Sequence, residues 1–141
     1  MALILEKSFP VEAGAFTTAG EASTTIKRTL KQLGVNTEVL RHISVACYEV
    51  ELNLVIHSLG GTLTLQVDPE KVTLISKDVG PGIPDIDKAM TEGYSTASAE
   101  ARTLGFGAGM GLPNMKRNAT GFEIQSEVGV GTTITMTFAL Q

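Results

Sequence analysis

Cysteine is nearly missing from this chain, with one thiol, Cys47, in 141 residues. That excludes an internal disulfide and a zinc site built on cysteines, and the place of Cys47 in an apolar helical pattern predicts a core residue rather than a nucleophile. Long apolar runs are missing as well. The first, Ala2-Leu3-Ile4-Leu5, is too short for a signal peptide or a bilayer span and nothing later exceeds it, so a cytoplasmic protein with no membrane partner is expected. Basic residues are few, 11 Lys and Arg against 15 Asp and Glu for a net charge of −4, which leaves no electrostatic footprint for nucleic acid. Internal repeats and low-complexity linkers are also lacking. What remains is 43% apolar and 18% charged, the composition of one globular domain over residues 1–141 with a real core.

The periodicity predicts the elements. Leu3 to Phe9 reads as a short extended segment stopped by Pro10. Phe16, Ala19, Ala22, Ile26, Leu30 and Leu33 recur at helical spacing up to Gly34. Asn36 is a plausible N-cap for a second helix, whose apolar stripe Val39, Ile43, Ala46/Cys47, Val50 and Leu54 runs to about Ser58. Leu63, Leu65 and Val67, then Val72, Leu74 and Ser76, alternate on either side of Asp68-Pro69-Glu70-Lys71 as an antiparallel hairpin. After a short helical pattern (Ile86, Ala89, Met90), residues 91–103 are small and polar, a composition of lids and binding loops. Leu112 to Asn118 is a short helix. Phe122 and Ile124, then Ile134, Met136, Phe138 and Leu140, give the last strands. Helices on one face of a mixed, mostly antiparallel sheet make an α/β two-layer sandwich.

Three stretches carry chemistry. Glu49, Asn53 and His57 are successive i, i+4 neighbours on the second helix and project along one line beside the buried stripe, which also fits a solvated polar edge. Asp78-Val79-Gly80-Pro81-Gly82 leaves a strand with one carboxylate at its end and two glycines that let backbone approach a flat ligand, which also fits a structural turn. Gly105-Phe106-Gly107-Ala108-Gly109-Met110-Gly111-Leu112 runs into a helix. Glycine at alternate positions bares backbone N–H groups, and the helix start adds unpaired amides and the positive end of its dipole, so this stretch reads as a phosphate cradle. By itself it also fits a flexible loop. It lacks the Gly-Lys-Ser/Thr ending of a P-loop, and Met110 stands where a dinucleotide fingerprint needs glycine.

The order of these motifs resembles the GHKL ATPase superfamily with its N, G1 and G2 boxes and its Bergerat sandwich, from about residue 12 onward. Glu92-Gly93-Tyr94-Ser95-Thr96 and Gly107 to Arg117 look like the lid and G2 box of the small bacterial Ser/Thr switch kinases, of the RsbT type found in stressosomes. The resemblance implies ATP/ADP and Mg²⁺ as cofactors. It makes Glu49 the general base, gives Asn53 to Mg²⁺ and phosphate oxygens, and gives Asp78 to the adenine amino group. Gly80, Gly82 and Thr132 fall beside the base, Ser95 and Thr96 in the lid, and Gly105 through Leu112 under the phosphates. His57, like His42, is expected to be structural or phosphate-side rather than a phosphoacceptor. An amide oxygen suits Mg²⁺, and a carboxylate one turn away can take a proton from an attacking hydroxyl. The implied activity is phosphorylation of a STAS-domain stressosome protein, with a phosphatase or sigma-pathway protein as a further partner. An anti-sigma factor kinase shares all three boxes, and a non-catalytic module that uses nucleotide to set its shape is the alternative, against which the retention of Glu49 argues. Val79 and Asn118-Ala119-Thr120-Gly121 depart from the family pattern away from the motif positions, which bears on partner choice.

Overall fold

A computed structural model of the chain describes residues 3–15, 17–80, 82–83, 86–90 and 111–140. The strands are β1 (Leu5–Val11), β2 (Gly61–Val67), β3 (Lys71–Asp78), β4 (Gly121–Glu127) and β5 (Gly131–Ala139). The helices are α1 (Glu21–Gln32), α2 (Thr37–His57), α3 (Ile86–Ala89) and α4 (Gly111–Asn118). The strands form one sheet in the order β1-β2-β3-β5-β4. Among the described residues every pairing is antiparallel, where the sequence suggested a mixed sheet.

Alternation decides the layers. Leu63, Leu65 and Val67 of β2, Val72 and Leu74 of β3, and Ile134, Met136 and Phe138 of β5 are buried on one face. Cross-strand register lines them up, Leu65 against Leu74 and Leu74 against Met136, so each inward side chain packs beside another. Ile26 and Leu30 of α1, Ile43, Cys47, Val50 and Leu54 of α2, and Leu112 and Met115 of α4 close over that face. The opposite face carries Thr62, Thr64, Thr73, Thr133, Thr135 and Thr137, β-branched residues that favour a strand while leaving a hydroxyl for water. Helices on one face and hydroxyls on the other give the two-layer sandwich.

α2 is the central helix, touching α1 on one flank and α4 on the other. Asn36 caps it as the sequence predicts, its side-chain oxygen accepting from Glu38 N at 2.9 Å and Val39 N at 3.4 Å. α1 is capped differently. Its N-cap is Gly20, at φ 99° and without a side chain, and the acceptor comes from α2 instead. Glu51 Oε2 takes the Gly20 and Ala22 amides at 3.1 and 3.2 Å, and Oε1 takes the Ser23 amide at 2.9 Å and its hydroxyl at 2.5 Å. This carboxylate is 3% exposed and fully engaged. It is a helix cap supplied across a helix pair.

Two boundaries differ from the periodicity. β1 continues through Pro10 to Val11, because among the described residues it is the edge strand of the sheet, where a missing N–H costs little. α1 begins at Glu21 although apolar spacing starts at Phe16, since residues 17–20 form turns that end in the left-handed Gly20; Phe16 itself lies outside the described residues. No described helix is long and apolar enough to cross a membrane.

Candidate active site

α2 brings two of the expected polar residues to one side at helical spacing. Glu49 is half-buried, and its pKa is raised by that burial, with a hydrogen bond from the Asn114 side chain acting in the opposite direction. The Asn114 carbonyl oxygen is occupied by Arg117 Nη1 at 2.9 Å, so its amide nitrogen is the group that serves Glu49. Gly111, the first residue of α4, lies so close that a Cβ there would sit 3.4 Å from Glu49 Oε2. One turn beyond Glu49, the half-buried Asn53 side chain makes no hydrogen bond among the described residues. His57 is the last residue of α2, and its side chain lies outside the described ones. His42 is structural: its Nδ1 lies 2.8 Å from Asn118 Oδ1 and ties α2 to α4.

The second half of the site is the far end of the sheet. Leu59 N donates to the Val79 carbonyl at 2.8 Å and Val79 N to the Gly60 carbonyl at 3.1 Å, which fastens the end of β3 beneath the end of α2. Nine residues of helical rise, about 13 Å, separate Glu49 from that end. Asp78, the last residue of β3, accepts the Thr132 amide on Oδ1 at 2.9 Å, which leaves Oδ2 for a ligand. Burial raises the pKa of Asp78, and the Thr132 hydrogen bond partly offsets it. A Cβ at Gly131 would run into the Asp78 carbonyl, so β5 can approach β3 this closely only with glycine there. Gly80 N donates to the Val130 carbonyl at 3.2 Å, and Gly82, at φ +74°, lies against the Glu127 carbonyl, where a Cβ would be 2.5 Å away. The loop after β3 is thus pressed onto the β4–β5 turn.

Thr132 is buried, and Leu112 sends its side chain into the core, so what Leu112 offers a ligand is backbone. Ser95, Thr96 and Gly105, Phe106, Gly107, Ala108, Gly109 and Met110 lie outside the described residues. Two residues of the site were not anticipated. Asn114 gave no signal beyond its position three residues into α4, whereas Ser126 follows Phe122 and Ile124 at an inward-facing position of β4, and a polar residue there is a detectable break in the alternation.

One end therefore offers a fixed carboxylate acceptor close to Gly80 and Gly131. The other offers a half-buried carboxylate next to a helix N-terminus and an uncommitted amide. Among the described residues no cluster of three His, Cys, Asp or Glu could hold a metal unaided. Asn53 fits a divalent cation that brings other oxygen ligands with it.

A family model described as "Histidine kinase-, DNA gyrase B-, and HSP90-like ATPase" matches residues 38–141, which include Glu49, Asn53, Asp78 and Thr132. The chain is 33% identical over 108 residues to the serine/threonine-protein kinase RsbT of Bacillus subtilis, covering 74% of this chain and 75% of that protein. It is 32% identical over 121 residues to the anti-sigma F factor of Thermoanaerobacter sp. (strain X514), covering 82% of this chain and 81% of that one. The anti-sigma F factor of Clostridium acetobutylicum is 28% identical over 120 residues, 82% of this chain and 80% of that protein. The chain belongs to the histidine kinase-, DNA gyrase B- and HSP90-like ATPase family, on the branch of its small protein serine/threonine kinases.

Proposed function

We propose that this protein transfers the γ-phosphoryl group of ATP to a serine or threonine hydroxyl of a folded protein partner in a bacterial partner-switching pathway. The observation that carries the proposal is Glu49: a half-buried carboxylate with a raised pKa, held by Asn114 and placed against the first residue of α4. The hydroxyl oxygen of the partner attacks the γ-phosphorus, its proton passes to Glu49, and the bond to the β-phosphate oxygen breaks to release ADP. Asn53 is the residue that would hold Mg²⁺, which when bound neutralises charge on the β- and γ-phosphates. At the other end Asp78 Oδ2 would accept from the 6-amino group of adenine. Guanine, with a keto oxygen at that position, would face a carboxylate and be rejected.

The partner we assign is a STAS-domain protein of a stressosome, with a phosphatase or sigma-pathway protein as the second partner after release. A phosphate adds about −1.5 to −2 of charge, which weakens docking on a kinase that is itself acidic. Mixing the protein with Mg-ATP and candidate STAS proteins, then locating phosphate by mass spectrometry and measuring affinity before and after, tests the proposal. Phosphate on a serine or threonine of the partner with weakened binding is expected. Phosphate only on the kinase, or on histidine, defeats it, and binding without any transfer would favour the nucleotide-gated binding module.

A further inference from the structure

On the central strands the inward face of the sheet is mostly apolar, with Ser76 buried within it, up to its last row. There Asp78, Thr132 and Ser126 stand side by side on β3, β5 and β4, Ser126 directly opposite Thr132 in the register and Asp78 bonded to the Thr132 amide. Ser126 is a junction. Its Oγ accepts the Ile83 amide of the loop after β3 at 2.7 Å, lies 2.9 Å from Thr132 Oγ1, and donates to the Gly131 carbonyl at 3.3 Å.

Proton counting gives this junction a consequence. Ser126 has one hydroxyl proton and two acceptors for it, and the Gly131 contact at 3.3 Å is longer than the usual O–H···O range of about 2.5–3.0 Å. When the proton turns to Thr132, Ser126 keeps the Ile83 amide as its donor partner and gives up only the long bond. The Thr132 proton is then free, because no other described group accepts it. The site end then shows an acceptor, Asp78 Oδ2, beside a donor, Thr132 Oγ1.

We infer that Ser126 is a specificity-determining positioning residue, which orients the Thr132 hydroxyl as a donor next to the Asp78 acceptor and so fits the site to the amine-donor, ring-nitrogen-acceptor edge of adenine. Guanine presents the reverse order, a keto acceptor beside a ring N–H. The inference rests on the assignment of Asp78 to adenine made above.

The test compares ADP with two analogues in calorimetry: 1-deaza-ADP, which keeps the amine and lacks the ring acceptor, and purine riboside diphosphate, which keeps the ring acceptor and lacks the amine. Ser126→Ala is expected to weaken ADP and purine riboside diphosphate roughly fivefold to tenfold, the net worth of one neutral hydrogen bond, and to leave 1-deaza-ADP close to its wild-type affinity. Ser126→Thr keeps the hydroxyl and should restore ADP binding. If Ser126→Ala weakens all three ligands equally, Ser126 only holds the loop and the inference is overturned. If the wild-type protein does not distinguish ADP from purine riboside diphosphate, the assignment of Asp78 has failed and this inference falls with it. A thermal melt monitors folding, and should Ser126→Ala not fold, Ser126→Cys, the same shape with a weak donor, takes its place under the same criteria.

Discussion

Glu51 makes the sharpest prediction about stability. Its four hydrogen bonds gather three amides at the start of α1 and the Ser23 hydroxyl onto one carboxylate with 3% exposure. Replacing it with alanine strands the Ala22 and Ser23 amides, both on buried residues, while Gly20 is open enough for water to substitute. A buried donor left without a partner costs about 1–3 kcal/mol, and a lost helix cap by itself about 1 kcal/mol. Partial entry of water brings the expected total to roughly 3–4 kcal/mol, a large part of the ~5–15 kcal/mol by which domains are stable. For a chain of 141 residues, at roughly 3–4 °C per kcal/mol, the melting midpoint should fall by about 10–15 °C. Glu51→Gln should fall about half as far, since its carbonyl can still serve Ser23 while its NH₂ is turned against the Gly20 and Ala22 amides. Thermal melts of the three proteins measure this. Well below the melting range, ADP affinity should be unchanged, because Glu51 lies two residues and roughly 200° around α2 from Glu49. A fall of less than about 3 °C in both variants would refute the cap, as it would sit within ordinary surface-mutation effects.

Burial raises the Glu49 pKa in the folded state above its unfolded value, so the ionised form opposes folding above the folded pKa and that penalty vanishes as pH falls below the unfolded one. Glu49→Gln should therefore melt higher than wild type at pH 7, with the gap closing toward pH 4, while phosphoryl transfer drops by about 10²–10⁴; a variant that melts lower at pH 7 contradicts this. Asn53→Ala should abolish the gain in ADP affinity that Mg²⁺ gives, measured with and without chelator, and leave the Mg²⁺-free affinity in place; a retained Mg²⁺ effect removes Asn53 from the metal. Cys47 is fully buried with its pKa pushed up to about 12, so a thiol reagent should label it only as fast as the protein unfolds and faster in urea; rapid labelling of the native protein would show that the α1–α2 packing is open.

Most of the fold was legible because it rests on repetition. The alternation of β2, β3 and β5 and the Asn36 cap follow from short-range rules that tertiary packing then reinforced. The start of α1 was not legible, because its cap comes from a residue 28 to 31 positions away. Yet a signal existed: Glu51 stands four residues after Cys47 and three before Leu54, inside the buried stripe, where a charge demands partners. Glu49, Asn53 and Asp78 could be proposed only as a set, since each alone fits a solvated edge or a turn. Asn114 and Ser126 were not read, because their contacts with Glu49 and Thr132 run across a helix pair and a strand pair, and motif spacing carries no trace of such contacts.

The last row of the sheet shows why the site lies where it does. Elsewhere on the inward face most residues are apolar and meet an apolar partner across the ladder, Ser76 between Leu63 and Ile134 and the edge residue Lys7 opposite Leu65 excepted. At Asp78, Thr132 and Ser126 the same face becomes polar on three adjacent strands at once, and Gly61 and Gly131 remove side chains next to it. Such a row is poorly suited to stabilising a fold: it forgoes burial, and it keeps a carboxylate at a raised pKa. Its members satisfy one another down to a single open acceptor and one hydroxyl proton that can be redirected, and these are the two groups that the proposed adenine edge would meet.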